Sequence, residues 1–338
     1  MNKLATIQKI HSIQQHPNAD NLSIGKVLEW PVVIKKDQFK ENELVVFITI
    51  DSIVPETEYF EFMRKQKFRI WNARFRGSPS SGLVCPLSII PKTEGLPPGS
   101  LFLSEGNDVS EILGITKYER PLDLTVRGDA AGGFPTSLIS ISDEDNMLSN
   151  SKSLQELEGK EIYITQKVDG SSTTFIFNDG EFKACSRRFE LKEGSGFPWY
   201  SATKYDIKNK LTTLGRNLAI QAESVGNKLN GNRMGIDGIE LRIFRAKNLD
   251  TRELYNYQEL KELSKQLEIP IVDEIMVCQF NKDIHTIDWF KNLADKQIYS
   301  TNGQPAEGLV VAPVNPFYSN TLGKSWSLKI INSNYKQS

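Results

Sequence analysis

The feature that most constrains the fold of this chain is a change of pattern between residues 116 and 150. Most of that segment, YERPLDLTVRGDAAGGFPTSLISISDEDNMLSN, is rich in glycine, proline, aspartate and serine, which is typical of a linker laid across a surface. With 338 residues, the chain is long enough for two domains that each bury a core. We therefore predict domains at 1–115 and 151–338, joined by a surface linker at 116–150.

The first 115 residues contain short strand-like runs and little sign of helix. IGKVLEW and ELVVFITI have strand composition, and the polar run KKDQFKEN separates them. FRIWNARFRGS alternates basic and aromatic residues, and GLVCPLSII adds another strand. Several short strands without helices predict a small β-barrel or sandwich.

From residue 151 onwards, strand and helix patterns are mixed. EIYITQKV, TTFIF and EFKAC predict a strand followed by a hairpin whose turn is the NDG at 178–180. Helical periodicity is present around 202–215 and again around 252–267, and IELRIFRA, EGLVVAP and SWSLKII return to strand composition. The predicted fold class is therefore α+β.

Composition narrows the class of protein. The 41 Lys and Arg nearly balance the 42 Asp and Glu. The net charge of the chain therefore gives no sign of a nucleic-acid or membrane partner, although a local basic face is allowed. The start, MNKLATIQKI, has no signal-peptide core, and no run of 18 apolar residues exists. We expect a soluble, cytoplasmic protein without a membrane partner. Nothing indicates an obligate oligomer, so we expect a monomer.

Cysteine and histidine are too sparse to suggest the commonest catalytic and metal sites. Cys85, Cys185 and Cys278 lie far apart, which argues against a zinc cluster or a disulfide framework and favours a reducing compartment. The chain has only three histidines. Lysines and carboxylates are therefore the first candidates for chemistry.

The stretch ITQKVDGSS places Lys167 at the end of a predicted strand, directly before a turn. An amine attacks only when it is neutral, so a reactive lysine needs a partly desolvated site or nearby cations that lower its pKa. Gly170 would let the chain turn sharply and a ligand approach, and Asp169 can lie on the same side as Lys167. The alternative is that KVDG is an ordinary strand-to-turn connection, as most Asp-Gly pairs are.

K-x-D-G resembles the first motif of the covalent nucleotidyltransferases, the ligases and capping enzymes that form a lysine–nucleoside monophosphate adduct. Further stretches resemble the later motifs in the correct order, and their matching positions are Arg187 in CSRRF, Glu223 in AIQAESVG, Phe244 in LRIFRAKN, Glu307 in EGLVV and Lys329 in SLKII. Two departures stand out. Ala222 replaces the usual glycine before Glu223, and SLKII has one lysine where the family has K-x-K, so Lys324 is the alternative source of the second.

The resemblance implies a role for each matching residue. Lys167 would be the nucleophile and Lys329 a second catalytic cation. The implied cofactors are ATP and Mg²⁺ or Mn²⁺, and magnesium prefers oxygen ligands while keeping several waters. The metal would lie near Asp169, Glu223 and Glu307, and the nucleotide near Gln166, Arg187, Glu223, Phe244, Glu307 and Lys329. Taken alone, Glu307 fits a strand cap and Phe244 a core residue.

The front half resembles the N-terminal OB domain of the fifth family of ATP-dependent RNA ligases. The matching text is ADNLSIGKVLEWPVVIKKDQFKENELVVFITIDSIVP, FEFMRKQKFRI and RFRGSPSSGLVCPL, and GGFP continues it in the linker. SDEDNMLSN departs from the family's more basic pattern. The resemblance implies an OB-fold β-barrel followed by a nucleotidyltransferase (ATP-grasp-like) domain of antiparallel sheets with flanking helices.

The activity implied is joining of RNA 3′-hydroxyl and 5′-phosphate ends, through lysyl-AMP at Lys167 and an RNA-adenylate, with nicked duplexes favoured over free single strands. The RNA-binding candidates in the basic and aromatic stretch are Arg64, Lys67, Arg69, Arg74 and Arg76. That stretch also fits a solvated edge strand with its aromatics in the core.

Two other functions stay open. HPNADNL resembles tRNA-binding OB modules, which would make the protein a non-catalytic RNA binder. A GTP-using capping-type nucleotidyltransferase is the other alternative. It is disfavoured because only nine residues follow Lys329.

Overall fold

The structure is a computed structural model that describes residues 3–50, 52–91, 103–118, 128–227 and 229–335. These residues divide into two compact units, one within residues 3–118 and the other within residues 128–335. None of the helices in these ranges is both long and apolar enough to cross a membrane.

The first unit consists of short strands and two 3₁₀ helices. Its strands are β1 (Ala5–Gln15), β2 (Leu22–Val27), β3 (Trp30–Lys35), β4 (Leu44–Ile48), β5 (Ser52–Ile53), β6 (Arg69–Ile70), β7 (Asn72–Phe75), β8 (Ser78–Ser81), β9 (Leu83–Pro86) and β10 (Thr116–Lys117). The 3₁₀ helices are Glu58–Gln66 and Leu87–Ile89.

Strand β1 curls the sheet of the first unit. Residues 5–9 pair with β4, residues 10–15 pair with β2, and the register shifts between Ile10 and Ser12. Such an irregularity bends a strand and increases its twist, which lets one strand serve two halves of a barrel. The five-stranded order is β3-β2-β1-β4-β9. Its core includes Ile7 and Ile48, both fully buried.

The second unit is larger, and its described residues contain strands β11 to β23 and the four α-helices whose bounds are given below. Its strands are β11 (Ala130–Gly133), β12 (Asp145–Asn146), β13 (Glu161–Lys167), β14 (Ser171–Asn178), β15 (Glu181–Cys185), β16 (Phe189–Leu191), β17 (Leu218–Gly226), β18 (Ile239–Asn248), β19 (Glu274–Gln279), β20 (Gly308–Pro313), β21 (Tyr318–Ser319), β22 (Lys324–Ser325) and β23 (Leu328–Ile331). The helices are α1 (Gly196–Lys204), α2 (Ile207–Leu214), α3 (Tyr257–Leu267) and α4 (Ile287–Asp295). Short 3₁₀ helices lie at Met147–Ser149, Ser151–Leu157 and Asn230–Asn232.

Two sheets organise the second unit. A six-stranded antiparallel sheet has the order β11-β16-β15-β14-β17-β18, and a five-stranded sheet has the order β12-β23-β20-β13-β19. Apolar residues of α1, α2 and α3 join strand residues such as Phe175 and Ile220 in one core. The first unit is built mainly from strands, and the second unit, which follows it in the sequence, combines sheets with flanking helices. This confirms the predicted α+β class. The predicted hairpin turn at 178–180 is also present.

The segment predicted as a surface linker contributes structure to the second unit. Strand β11 pairs with β16, and β12 runs parallel to β23. Ile139 and Met147 are almost completely buried. These strands have only two to four residues and no apolar alternation. Their pairing partners, distant in sequence, hold them in place, so local composition could not reveal them.

Candidate active site

Lys167 is the last residue of β13, which lies inside the five-stranded sheet between β19 and β20. The turn at 168–170 then carries the chain into β14 of the six-stranded sheet. In β20, Gly308 pairs with Lys167, so the residue before it, Glu307, reaches the same place. The Lys167 Nζ lies 2.7 Å from the Glu307 Oε2, and both side chains are largely buried.

Two glycines allow the strands around Lys167 to approach each other. A Cβ on Gly170 would lie 2.7 Å from the Cγ of Glu223 in β17. A Cβ on Gly308 would collide with the backbone of Ile330 in β23. The sequence predicts that Gly170 gives room to a ligand. In the structure, the absence of a side chain at Gly170 also lets the turn pack closely against Glu223 and Ser224 of β17.

Glu223 is a partly buried carboxyl near this ion pair. It lies on β17 opposite Ser172. Burial raises the pKa of Glu223 to about 8; the charges of Glu307 and Glu144 add to the rise, and that of Lys167 opposes it. This shift favours the neutral acid form of Glu223 near neutral pH.

The expectation that the surroundings of Lys167 lower its pKa is wrong for this state of the protein. Burial alone would lower the pKa, but the carboxylates of Glu307, Glu223 and Glu144 raise it above the ordinary lysine value. Acidic side chains therefore dominate the electrostatic environment of the Lys167 amine. The amine is therefore protonated until a ligand or a proton acceptor changes this balance.

Asp169 lies in the turn after Lys167, and both of its oxygens accept hydrogen bonds. The Asn230 amide donates to Oδ1 at 3.1 Å, and the Tyr335 hydroxyl donates to Oδ2. The Arg233 guanidinium lies 3.7 Å from Oδ2. Burial and the bond to Asp169 raise the pKa of Tyr335, so its phenol stays protonated and can donate.

Lys329 shares a sheet face with Lys167. Lys329 pairs with Val310, two residues after Gly308, and in antiparallel strands positions two apart point to the same side. Lys324 lies close by: its Nζ is 3.0 Å from the Asp145 Oδ2 and 2.8 Å from the Asp143 carbonyl oxygen. Lys324 therefore contacts the segment at residues 143–145, and Lys329 lies near the same segment.

That acidic segment also contacts two arginines. The Asp143 carboxylate lies between Lys329, at 3.7 Å, and Arg187, at 3.5 Å. Glu144 accepts a hydrogen bond from Arg245 at 3.1 Å. Burial would raise the pKa of Glu144, but Arg245, Lys329 and Lys167 together lower it.

The remaining nucleotide candidates differ in their surroundings. Phe244 on β18 is only partly buried and packs against a small cluster that includes Val168 and Tyr299. Gln166 is buried, and its side-chain amide donates to the Ile298 carbonyl at 3.0 Å. In this conformation Gln166 anchors its strand, whereas the ring of Phe244 lies beside the turn that follows Lys167.

Sequence reasoning missed several residues of this site. They are Asp143, Glu144, Asp145, Asn230, Arg233, Arg245 and Tyr335. The only available signals were the acidic run SDEDN and the NGNRMG loop, since the segment containing Tyr335 matches no motif.

The carboxylates fit a hydrated divalent cation better than a direct three-ligand site. In the described parts of the chain, no three His, Cys, Asp or Glu residues are grouped so that they could hold one metal ion. Asp169, Glu223 and Glu307 are thus not brought together as direct ligands of one ion. Their oxygens are nevertheless the donors that Mg²⁺ and Mn²⁺ accept, with waters and phosphate oxygens completing the shell.

The cations predicted to bind RNA lie in the first unit, on and after the 3₁₀ helix Glu58–Gln66. Arg64 is held by Glu61, with Nε 2.5 Å from the carboxylate, and by Glu56 at 3.5 Å. Arg69 stacks on the Tyr118 ring at 3.6 Å. The other three are Lys67, just after the helix, and Arg74 and Arg76, on and beside the β7–β8 hairpin.

The aromatics in this stretch divide between core and surface. Phe68 is buried, whereas the rings of Phe62, Trp71 and Phe75 are exposed. The alternative, an edge strand with its aromatics in the core, therefore holds for Phe68 and is wrong for Phe62, Trp71 and Phe75. Exposed rings beside cations form a surface suited to nucleic acid.

Comparison with known proteins follows the division into two units. An OB-fold domain model matches residues 4–87, and an RNA ligase model matches residues 160–331, just over half of the chain. A search of curated protein sequences gave no match.

Solved structures match almost the whole chain. One is a Naegleria gruberi RNA ligase with PPi, at 30% identity and a TM-score of 0.83, covering 98% of this chain and 97% of that chain. Another is a mutant of the same ligase with ATP and Mn, at 30% identity and a TM-score of 0.84, with the same coverage. A third, an apo mutant, matches at 29% identity and a TM-score of 0.84, covering 98% and 96%.

An OB-fold unit followed in the sequence by a unit that matches RNA ligases defines a polynucleotide-joining enzyme. The chain belongs to the RNA ligase family. This confirms the predicted resemblance to RNA ligases with an N-terminal OB domain. The protein is an enzyme with RNA as its substrate.

Proposed function

We propose that this enzyme uses ATP and a divalent cation to join RNA 3′-hydroxyl and 5′-phosphate ends, through a covalent AMP adduct on Lys167. The observation that carries the proposal is the position of Lys167, at a strand end among Glu307 and Glu223, with Lys329 on the same sheet face. A matched ligase was solved with ATP and Mn, which supports the same donor here.

In the first step, the Lys167 Nζ forms a bond to the α-phosphorus of ATP, and the bond to the pyrophosphate oxygen breaks. The amine must lose a proton, and the Glu307 Oε2, at 2.7 Å, lies close enough to accept it. A bound Mg²⁺ or Mn²⁺ supplies charge neutralisation at the phosphates. Arg187, Lys324 and Lys329 are the chain's own cations for those phosphates.

The second step passes AMP from Lys167 to the RNA 5′-phosphate, and the third uses the RNA 3′-hydroxyl to displace AMP. Neither step needs a second lysine nucleophile. We propose that nicked duplexes are the preferred substrate, with residues 3–118 supplying RNA affinity and the second unit supplying the chemistry. Phe244, which is only partly buried, would stack on the adenine through the part of its ring that remains accessible.

The test is adduct formation with α-labelled nucleotide and a divalent cation. We expect wild type to take label from ATP on Lys167, located by mass spectrometry, and Lys167→Ala to take none. Lys183→Ala is the matched control, since Lys183 is also a partly buried lysine paired with a glutamate, 3.0 Å from Glu190. The Lys167→Ala variant should still seal pre-adenylylated nicked RNA.

Three outcomes would contradict the proposal. Absence of an adduct in wild type would favour a non-catalytic RNA binder. Label from GTP instead of ATP would favour a capping-type enzyme. Equal sealing of nicked and single-stranded RNA would remove the preference for nicks.

A further inference from the structure

The segment after the last strand, residues 332–335, contacts two of the acidic residues of the candidate site. The backbone N–H of Asn332 donates to the Glu307 carbonyl oxygen at 3.0 Å. The Tyr335 hydroxyl donates to the Asp169 carboxylate. This short segment is therefore hydrogen-bonded both to Glu307, the ion-pair partner of Lys167, and to Asp169 in the turn after Lys167.

The segment itself is firmly anchored. Asn332 is almost fully buried, and its side-chain amide donates to the Gln297 carbonyl at 3.0 Å. A turn closes from the Tyr335 N–H to the Asn332 carbonyl at 3.0 Å. The Ser333 N–H donates to the Asp295 carboxylate at 2.6 Å. Such anchoring limits the positions that the Tyr335 ring can take.

The ring of Tyr335 is held from a second side. The Arg233 guanidinium carbon lies 4.8 Å from the ring centroid, and the same guanidinium is 3.7 Å from the Asp169 Oδ2. A cation over an aromatic face is attractive, and an arginine beside a carboxylate stabilises its ionised form. Tyr335, Arg233 and Asp169 thus form one connected group.

We propose that Tyr335 is a positioning residue for the reaction at Lys167. Its hydroxyl holds the Asp169 carboxylate in the turn that follows Lys167, so that Asp169 contributes to the site together with Glu223 and Glu307. The inference rests on the proposed function, because it assigns a task in adduct formation and in binding of the metal–nucleotide complex.

The test is a double-mutant cycle with Tyr335→Phe, Asp169→Asn and the double variant. Tyr335→Phe keeps the ring that contacts Arg233 and removes only the hydroxyl. The control is Tyr318→Phe, because Tyr318 is 66% exposed and outside the site. Loss of a partner that orients a ligand residue costs about 10–100-fold, so we expect the single-turnover adduct rate of Tyr335→Phe to fall by about tenfold or more.

A second readout does not depend on turnover. In a Lys167→Met background, which cannot form the adduct, calorimetry measures binding of the Mn²⁺–ATP complex. We expect Tyr335→Phe to weaken this binding by about tenfold, and to have no further effect once Asp169 is asparagine.

The outcomes separate this inference from the proposed function. A Tyr335→Phe loss that disappears in the Asp169→Asn background supports the inference. The inference is overturned if Tyr335→Phe causes no loss while wild type still forms the adduct. It is equally overturned if the loss persists in the Asp169→Asn background, whether or not the unfolding temperature falls. Failure of both wild type and Tyr318→Phe to form the adduct overturns the proposed function and the inference together.

Discussion

The Lys167 amine lies 2.7 Å from the Glu307 carboxylate, and this contact keeps the proposed nucleophile protonated. The Glu307 carboxylate stabilises the protonated, unreactive form of the amine, and it also lies close enough to accept the proton of that amine. Activation of Lys167 therefore requires a change in the charge around Glu307, which binding of a metal–nucleotide complex would supply.

Glu307→Gln should separate these two roles of Glu307. Since Glu307 raises the pKa of Lys167, its removal lowers that pKa, and the pH at which the adduct rate is half-maximal should move to a lower value. The plateau rate should nevertheless fall, by about 10²-fold or more, because the proposed proton acceptor for the Lys167 amine is lost. Rates of adduct formation measured across pH check both effects.

Glu190→Gln is the control for Glu307→Gln. It removes a carboxylate paired to another lysine, Lys183, at 3.0 Å, and should leave the pH profile unchanged. An unchanged profile in Glu307→Gln would show that Glu307 does not govern the protonation of Lys167.

Glu223 should make the stability of the metal-free protein depend on pH. Its pKa is raised by burial to about 8 in the folded state, so between about pH 5 and pH 8 the folded state holds a proton that the unfolded state has released. The contribution of Glu223 to the free energy of unfolding is therefore present at low pH and lost as pH rises through this window.

Glu223→Gln should remove that dependence, because glutamine carries no charge at any pH. Urea unfolding near pH 5, 6.5 and 8, in the presence of a chelator, measures it, and the variant should gain stability relative to wild type as pH rises. A constant difference between the two proteins across these values would mean that the Glu223 carboxyl is not buried as a neutral acid.

Asp143 pairs with two of the cations that we propose bind the phosphates of ATP. Its carboxylate lies 3.5 Å from Arg187 and 3.7 Å from Lys329, and such partly exposed pairs contribute about 0.2–1 kcal/mol each. Asp143→Asn removes both pairs and should therefore lower the KM for ATP by roughly twofold to thirtyfold. Glu193→Gln, which breaks an exposed pair with Lys208, is the control. A higher KM in Asp143→Asn would indicate that Asp143 instead holds the cations in place.

The first unit provides a test of RNA binding that leaves ATP chemistry intact. Arg74→Ala with Arg76→Ala should weaken binding of nicked RNA and reduce the slope of log affinity against log salt by about one for each phosphate that an arginine no longer neutralises. Arg64→Ala should have a smaller effect, because Glu61 and Glu56 already pair with Arg64. Adduct formation should be unchanged in all of these variants. An equal effect from Arg64 would mean that its glutamate pairs break on RNA binding.

The fold class and the chemistry-bearing strand ends were readable from sequence because their signals are local. Apolar alternation predicted β13 and β14, and the polar turn between β14 and β15 predicted the hairpin. The Lys167–Gly170 stretch combined a strand end, a carboxylate and a glycine within four residues. Motif order then pointed to Glu223, Phe244, Glu307 and Lys329 as candidates for the same site.

The partners of those residues were not readable, because each lies far away in sequence. Asp143 meets Lys329 across 186 positions of sequence, and Tyr335 meets Asp169 across 166. The protonation of Lys167 was also hidden, since it depends on three carboxylates that lie far apart in sequence: Glu223 on β17, Glu307 just before β20, and Glu144.

By itself, the sequence determined the fold class and which residues are candidates to attack, bind phosphate or stack on a base, because residue type and local strand pattern carry that information. Only the tertiary structure decided which charges surround Lys167, that Asp143 and Asp145 pair with the phosphate-binding candidates, and that Tyr335 donates a hydrogen bond to Asp169. Charge interactions depend on distance through space and on burial, and both are set by how the sheets pack.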